Sequence, residues 1–168
     1  MANAQKGRNL FHELMEIRDQ QRKQAKSKRV VVRGKSLPLE LNPLGTMRWY
    51  MHPRIDDTSH KAMILYVQDI PPGSKGGLFK TQGGMVIHVW KGRGYSMIDG
   101  VSYSWEAGDV VQIPIRTPGV TVQHFNDHPE ETARLICCEP NTVDSLSVDR
   151  GSGWEVLLPA PAYVQEQE

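Results

Sequence analysis

The chain has 168 residues, 39% of them hydrophobic and 23% charged, with a net charge of +1. That balance describes one ordinary globular domain rather than a disordered chain, and it gives no reason to expect nucleic acid or an anionic membrane as partner. No apolar run approaches the roughly 20 residues of a membrane helix, and the N-terminus lacks the apolar segment of a secretory signal, so a cytoplasmic protein is expected.

Residues 9–28 read as a helix, because Leu10, Phe11, Leu14, Met15 and Ile17 fall at helical spacing and give one apolar face. Beyond Ile17 come Arg18, Arg22, Lys23, Lys26, Lys28 and Arg29 against the acid Asp19. Basic residues suit a helix C-terminus, so a solvated helix end is favoured over a patch for an acidic partner. Val30, Val31 and Val32 form a short β-branched run. Residues 37–41 alternate around Pro38, as an edge strand would. Residues 47–51 and 63–70 are further strands. The polar loop between them holds His52, Asp56, Asp57 and His60, four potential metal ligands. Pro53 and Thr58 fit an Asp-rich turn there, and the spacing matches no metal site closely.

Strands are expected at 85–90, 95–98 and 101–105, the last two joined by the two-residue turn Asp99-Gly100. Tyr95, Tyr103 and Trp105 should pack as an aromatic cluster on that hairpin. Residues 110–113, 120–125 and 133–138 complete a series of short, evenly spaced strands, the pattern of an antiparallel sandwich or barrel. Cys137 and Cys138 are the only cysteines; neighbours on a strand face opposite ways, so two reduced thiols are expected. Residues 141–162 show no periodicity and read as an arm over the barrel or a partner, with 164–168 fraying. Gly76-Gly77 and Gly92-Arg93-Gly94 precede no helix and read as turns, not as a phosphate cradle.

Residues 73–126 carry the most specific pattern. In order come Gly92-Arg93-Gly94-Tyr95, the Ile98-Asp99-Gly100 turn, Trp105-Glu106-Ala107-Gly108-Asp109, Pro114 and Gln123-His124-Phe125-Asn126. This frame resembles the cupin family, and within it the single-domain, gentisate-dioxygenase-like type, over residues 49–139. The resemblance implies an all-β fold, a double-stranded β-helix (a small jelly roll) whose open end holds the site. An N-terminal helix and edge-strand arm would occupy 1–46, the barrel 47–140 and a C-terminal arm 141–168.

Cupins usually hold one transition metal through His and Glu. Aligned on Gly92, the family's Glu position falls on Met85 and its first two His positions on Phe79 and Thr81; the His of the second motif falls on Val122. A shift of one residue reaches only Leu78, Lys80 and Gly84. A divalent ion needs imidazole and carboxylate donors converging at about 2 Å. A degenerate metal site and no cofactor are therefore expected, with a divalent metal the disfavoured alternative.

Alternation puts Val122 and His124 on one face, and Met85, Ile87 and Val89 on another, with His88 and Trp90 opposite. The implied pocket holds Phe79, Thr81, Met85, Ile87, Val122 and His124: apolar walls, one hydroxyl and one imidazole, the composition of a small-molecule site. His124 reads either as a general acid/base or anchor for a carboxylate or phenol, or as a structural histidine bonded to Asn126 or a backbone carbonyl. Three functions follow from this. The chain is a cupin binding a small aromatic or carboxylic metabolite, with metal-independent acid/base chemistry open. Alternatively it is a non-catalytic binding or accessory subunit, or a metal-dependent dioxygenase-like enzyme with displaced ligands drawn from His124, His52, His60 and His88. A homodimer is expected, because jelly-roll edges need cover.

Overall fold

Alternation of apolar and polar residues sorts the strands into two facing antiparallel sheets. The computed structural model describes residues 8–58, 61–142 and 154–167. Among these, one sheet contains β1 (Glu40–Asn42), β2 (Gly45–Met51), β3 (Met63–Ile70), β5 (Met85–Lys91), β8 (Val110–Ile113) and β10 (Ala133–Pro140), in the spatial order β1-β2-β3-β10-β5-β8. The other contains β4 (Leu78–Thr81), β6 (Arg93–Ile98), β7 (Val101–Glu106), β9 (Val120–Asn126) and β11 (Glu155–Leu158), in the order β11-β4-β9-β6-β7. The central strands turn one row of side chains inward: Met85, Ile87 and Val89 of β5 are buried, while Val86 and Trp90 face solvent. Leu135 and Cys137 of β10 and Val120 and Val122 of β9 are buried across from them.

The turn at Asp99-Gly100 is formed as expected, with φ of 49° and 82°, the left-handed pair that two-residue hairpins require. Asp99 also braces the strand that carries His124. Its Oδ1 accepts from the Thr121 backbone N–H at 2.8 Å and hydroxyl at 3.0 Å, and its Oδ2 pairs with Arg116. The Thr121 backbone bond, then its hydroxyl and Arg116, hold the Asp99 carboxyl below the usual carboxylate range. The register that results places Ser96 of β6 directly opposite His124 of β9.

Helix α1 (Leu10–Ser27) begins at Asn9, whose Oδ1 accepts from the His12 N–H at 3.1 Å. Leu10, Phe11, Leu14 and Ile17 are each more than half exposed, so the apolar face read from the sequence is not buried on this chain's own barrel. No helix among the described residues is long and apolar enough to cross a membrane.

Several elements differ from expectation. Val30–Val32 form no strand. Arg29 makes an isolated bridge to Thr58, and Val30 and Val31 are exposed, because β-branching favours a ladder only where a neighbour exists. Residues 37–41 shrink to β1, since Pro38 offers no N–H. β4 and β11 were not read as strands: β4 is a short run between the glycine pairs Gly76-Gly77 and Gly83-Gly84, and β11, Glu155-Val156-Leu157-Leu158, shows no alternation. The expected frayed end is instead helix α2 (Pro161–Gln167), whose Val164 N–H bonds the Ala160 carbonyl. The hairpin aromatic cluster does not form. Tyr95 stacks on Phe125 at 4.6 Å and 5°, Trp105 enters the core and Tyr103 is half exposed.

Candidate functional site

The six residues expected to line a pocket all point into the space between the sheets, each between 0% and 3% exposed. Phe79 of β4 lies opposite Val122 of β9 in the ladder, and its ring is 6.3 Å from that of His124. They do more than line the interior: Phe79, Met85, Ile87 and Val122 belong to the packed hydrophobic core. Thr81 Oγ1 accepts from the Gly83 N–H at 3.3 Å, and Met85 Sδ lies 3.8 Å from the Tyr66 hydroxyl. A groove of about 570 Å³ lies elsewhere, on the outer face of the six-stranded sheet, with Leu37, Tyr50, Trp90 and Arg134 among its walls.

His124 is held from one side. Its Nδ1 is 2.7 Å from Ser96 Oγ, and the Trp105 indole N–H donates to the same oxygen at 2.9 Å. The arrangement that satisfies all three has Ser96 accepting from the indole and donating its one proton to Nδ1. The imidazole proton then sits on Nε2. That nitrogen is buried and has no hydrogen-bond partner. Burial lowers the His124 pKa to about 4, so the ring is neutral at physiological pH. Gly94 makes the contact possible, because a Cβ there would sit 1.9 Å from the Phe125 carbonyl oxygen and 2.8 Å from the Trp105 ring. The expected structural partner Asn126 is occupied elsewhere. Its amide donates to the carbonyls of Ile70, Pro71 and Glu131 at 2.9, 3.0 and 2.8 Å.

A second polar group lies in the barrel interior and was missed in the sequence. Glu139 of β10 is 6% exposed, and its Oε2 accepts from the Trp154 indole N–H at 3.1 Å. Burial pushes its carboxyl up to about 7, against the opposing effect of the indole bond. Trp154 is partly buried; it stacks on Phe79 at 5.5 Å and 26° and meets Tyr66 edge-on at 5.7 Å. Tyr66 in turn contacts Trp49 at 5.1 Å, and Trp49 contacts His52 at 5.2 Å. Trp154 and Phe79 therefore connect Glu139 to His124 through one stacked and one tilted ring contact. Burial also raises the Tyr66 phenol well above its usual value and pushes the Cys137 thiol up to about 12, so both stay protonated. The alternation Ala133, Leu135, Cys137 was the available signal for Glu139, had the strand been extended one residue further. Trp154 lies outside any periodic segment and gave none.

The remaining candidates fall away from this site. His88 is half-buried on the outward face, its Nδ1 3.2 Å from the Asp109 carbonyl oxygen. His52 Nδ1 accepts from the Arg54 N–H at 3.1 Å, Asp56 pairs with Lys61 and Asp57 with Arg29. His60 lies outside the described residues. Cys138 faces away from Cys137, its Sγ 3.9 Å from Met63 Sδ, and neither forms a disulfide.

The donor chemistry does not fit the divalent metal that cupins usually hold. Phe79, Thr81, Met85 and Val122 bring a phenyl ring, a hydroxyl already used locally, a thioether and an isopropyl group to the family's ligand positions. Among the described residues no three His, Cys, Asp or Glu side chains converge. One imidazole nitrogen without companions is a poor site for a borderline ion.

No protein-family model matches the chain, and no curated protein sequence matches it. Solved structures do. A cupin-like protein from Thermotoga maritima is 18% identical, with 83% of this chain and 96% of that one covered at a TM-score of 0.53. The polyketide cyclase RemF from Streptomyces resistomycificus is 15% identical over 83% of this chain and 94% of that one, at 0.57. A cupin 2 conserved barrel domain protein from Salinispora arenicola is 18% identical over 68% and 90%, at 0.52. Identities this low speak to architecture alone, and the architecture is the cupin barrel.

Proposed function

We propose that the barrel interior around His124 binds a small aromatic or carboxylic metabolite, without a metal. The observation that carries this reading is the unpartnered, buried Nε2 of His124. Leaving such a group unpaired costs about 1–3 kcal/mol. A carboxylate, carbonyl or phenolic oxygen on a ligand would accept its proton, while Phe79, Met85, Ile87 and Val122 supply apolar contact. The Ser96–Trp105 relay supports the same reading, since it fixes the tautomer that presents a donor at Nε2.

A pKa of about 4 is too low for an efficient base near neutral pH, so His124 acts here as a binding anchor. Glu139, at about 7, lies in the range where protons move, and it favours a second reading in which the same pocket is catalytic. The gentisate-dioxygenase-like resemblance motivates aromatic acids as the first ligands to try.

Histidine ring NMR of the full chain, with calorimetry across aromatic acids and phenols, tests the anchor. A true ligand should move the His124 ring signals, and His124→Phe should weaken it about tenfold. A panel in which no ligand moves His124 overturns the proposal. Turnover lost in Glu139→Gln with binding retained would select the enzyme over the accessory subunit. Near-stoichiometric iron, manganese, zinc or nickel in untagged protein purified without chelator would select the displaced-ligand metalloenzyme instead. The exposed apolar face of α1 supports a homodimer, and a monomer mass in gel filtration would overturn that.

A further inference from the structure

The Trp154 side chain is unlike every other ring in the barrel. Its residue belongs to no strand, so withdrawing it breaks no ladder hydrogen bond of its own. The strand that follows, β11, leaves Val156, Leu157 and Leu158 more than 40% exposed, so Trp154 is the side chain this segment packs against the core beside Phe79 and Tyr66. There it supplies a flat ring stacked on Phe79 and one N–H donated to Glu139. A buried carboxylate is costly unless several donors satisfy it. A single neutral donor from a partly exposed side chain is a weak and exchangeable solution. Phe79 also lies 6.3 Å from the His124 ring, whose buried Nε2 is unpaired. The interior thus has a stacking wall, an acceptor held by a removable group and an unsatisfied donor.

We infer that Trp154 occupies a ligand's place: the barrel takes a planar aromatic molecule bearing an N–H or phenolic O–H, which displaces the indole, stacks on Phe79 and donates to Glu139. This rests on the reading that the barrel interior binds a small molecule, and it specifies that molecule's shape and its donor. The side chain acts as an internal competitor, so any ligand binds more weakly than its contacts alone would give. A ligand with a second, accepting atom would satisfy His124 as well.

The test uses the full chain with 5-fluorotryptophan incorporated, read by fluorine NMR, with the Trp154 signal assigned by Trp154→Phe. Indole and 1-methylindole are the probes, equal in ring shape and differing in the N–H. Indole should move the Trp154 signal toward its solvent-exposed position, and 1-methylindole should bind about tenfold more weakly. In Glu139→Leu the two probes should bind alike. Should indole bind while the Trp154 signal stays put, or should both probes bind equally to the unaltered protein, the inference is overturned. The reading beneath it has its own readout in the same samples, the His124 ring signals. Ligands that move His124 without moving Trp154 sink only the displacement, whereas a panel that moves neither sinks both.

Discussion

Two tryptophans donate an indole N–H to a polar group inside the same barrel, and they do so on opposite terms. Trp105 is 4% exposed on β7, and its partner Ser96 sits on the adjacent strand and passes the bond on to His124. Trp154 stands outside any strand, is partly exposed, and bonds a carboxylate that has no other side-chain donor among the described residues. A hydroxyl that accepts once and donates once is fully satisfied when buried; a carboxylate with one neutral donor is not. The difference separates a fixed strut from a replaceable plug.

The largest effect expected from this contrast is on stability. Trp105→Ala should destabilise the fold by about 3–5 kcal/mol, the range for removing a buried aromatic residue, and it leaves Ser96 without its donor. Trp154→Ala should cost only about 1–2 kcal/mol, because less area is lost and water reaches Glu139 in return. Urea unfolding of the two variants gives both numbers. Equal losses would mean that Trp154 is as much a strut as Trp105.

A smaller effect is expected at the relay. Ser96→Ala removes the acceptor of the Trp105 N–H and the donor to His124 Nδ1, and should cost about 2 kcal/mol. It should also release the tautomer, visible as a change in the nitrogen shifts of the His124 ring. An unchanged tautomer would show that something other than Ser96 sets it.

The strands that carry the strut were far more legible in the sequence than the plug, although the Trp105–Ser96–His124 bonds themselves were not. Asp99-Gly100 announces its hairpin because few residue pairs tolerate left-handed φ, and the bonds between Asp99 and Thr121 then tie β6 to β9, where Ser96 faces His124. Alternation over 120–125 places Val122 and His124 inward, and over 85–90 it places Met85 and Ile87 inward. What alternation leaves out is how full the interior is, so four of the six residues read as a pocket lining turn out to be packed core as well. The structural partners considered for His124, Asn126 or a backbone carbonyl, missed Ser96 for a related reason. Asn126 is near in sequence, but Ser96 is near across the ladder, and a ladder partner is invisible without the register. Glu139 lay one alternation step past the strand's expected end. Trp154 sits between 141 and 162, where no period marks it, and its place is set by packing against Phe79 and Tyr66 and by its bond to Glu139.

The finest test of the comparison is pH, because the two interior groups pull stability in opposite directions. His124 has a folded pKa of about 4 against 6.5 for an ordinary imidazole, so its contribution is full above pH 6.5 and is lost as pH falls through 4. Glu139 has a folded pKa of about 7 against 4.5, so its contribution is full below pH 4.5 and is lost as pH rises through 7. Tyr66 and Cys137 stay protonated throughout this range. Between pH 4.5 and 6.5 the two slopes, each at most about 1.4 kcal/mol per pH unit, largely cancel. The unaltered protein should therefore show a shallow profile there by urea unfolding. Glu139→Gln should expose stability that rises with pH, and His124→Phe stability that falls. Trp154→Ala decides between strut and plug: with water admitted to Glu139, its slope should shrink toward zero while that of His124 survives, and the profile should come to resemble that of Glu139→Gln. If Trp154→Ala flattens the His124 slope as well, the two ends of the interior are one site opened together, and the distinction between the tryptophans fails.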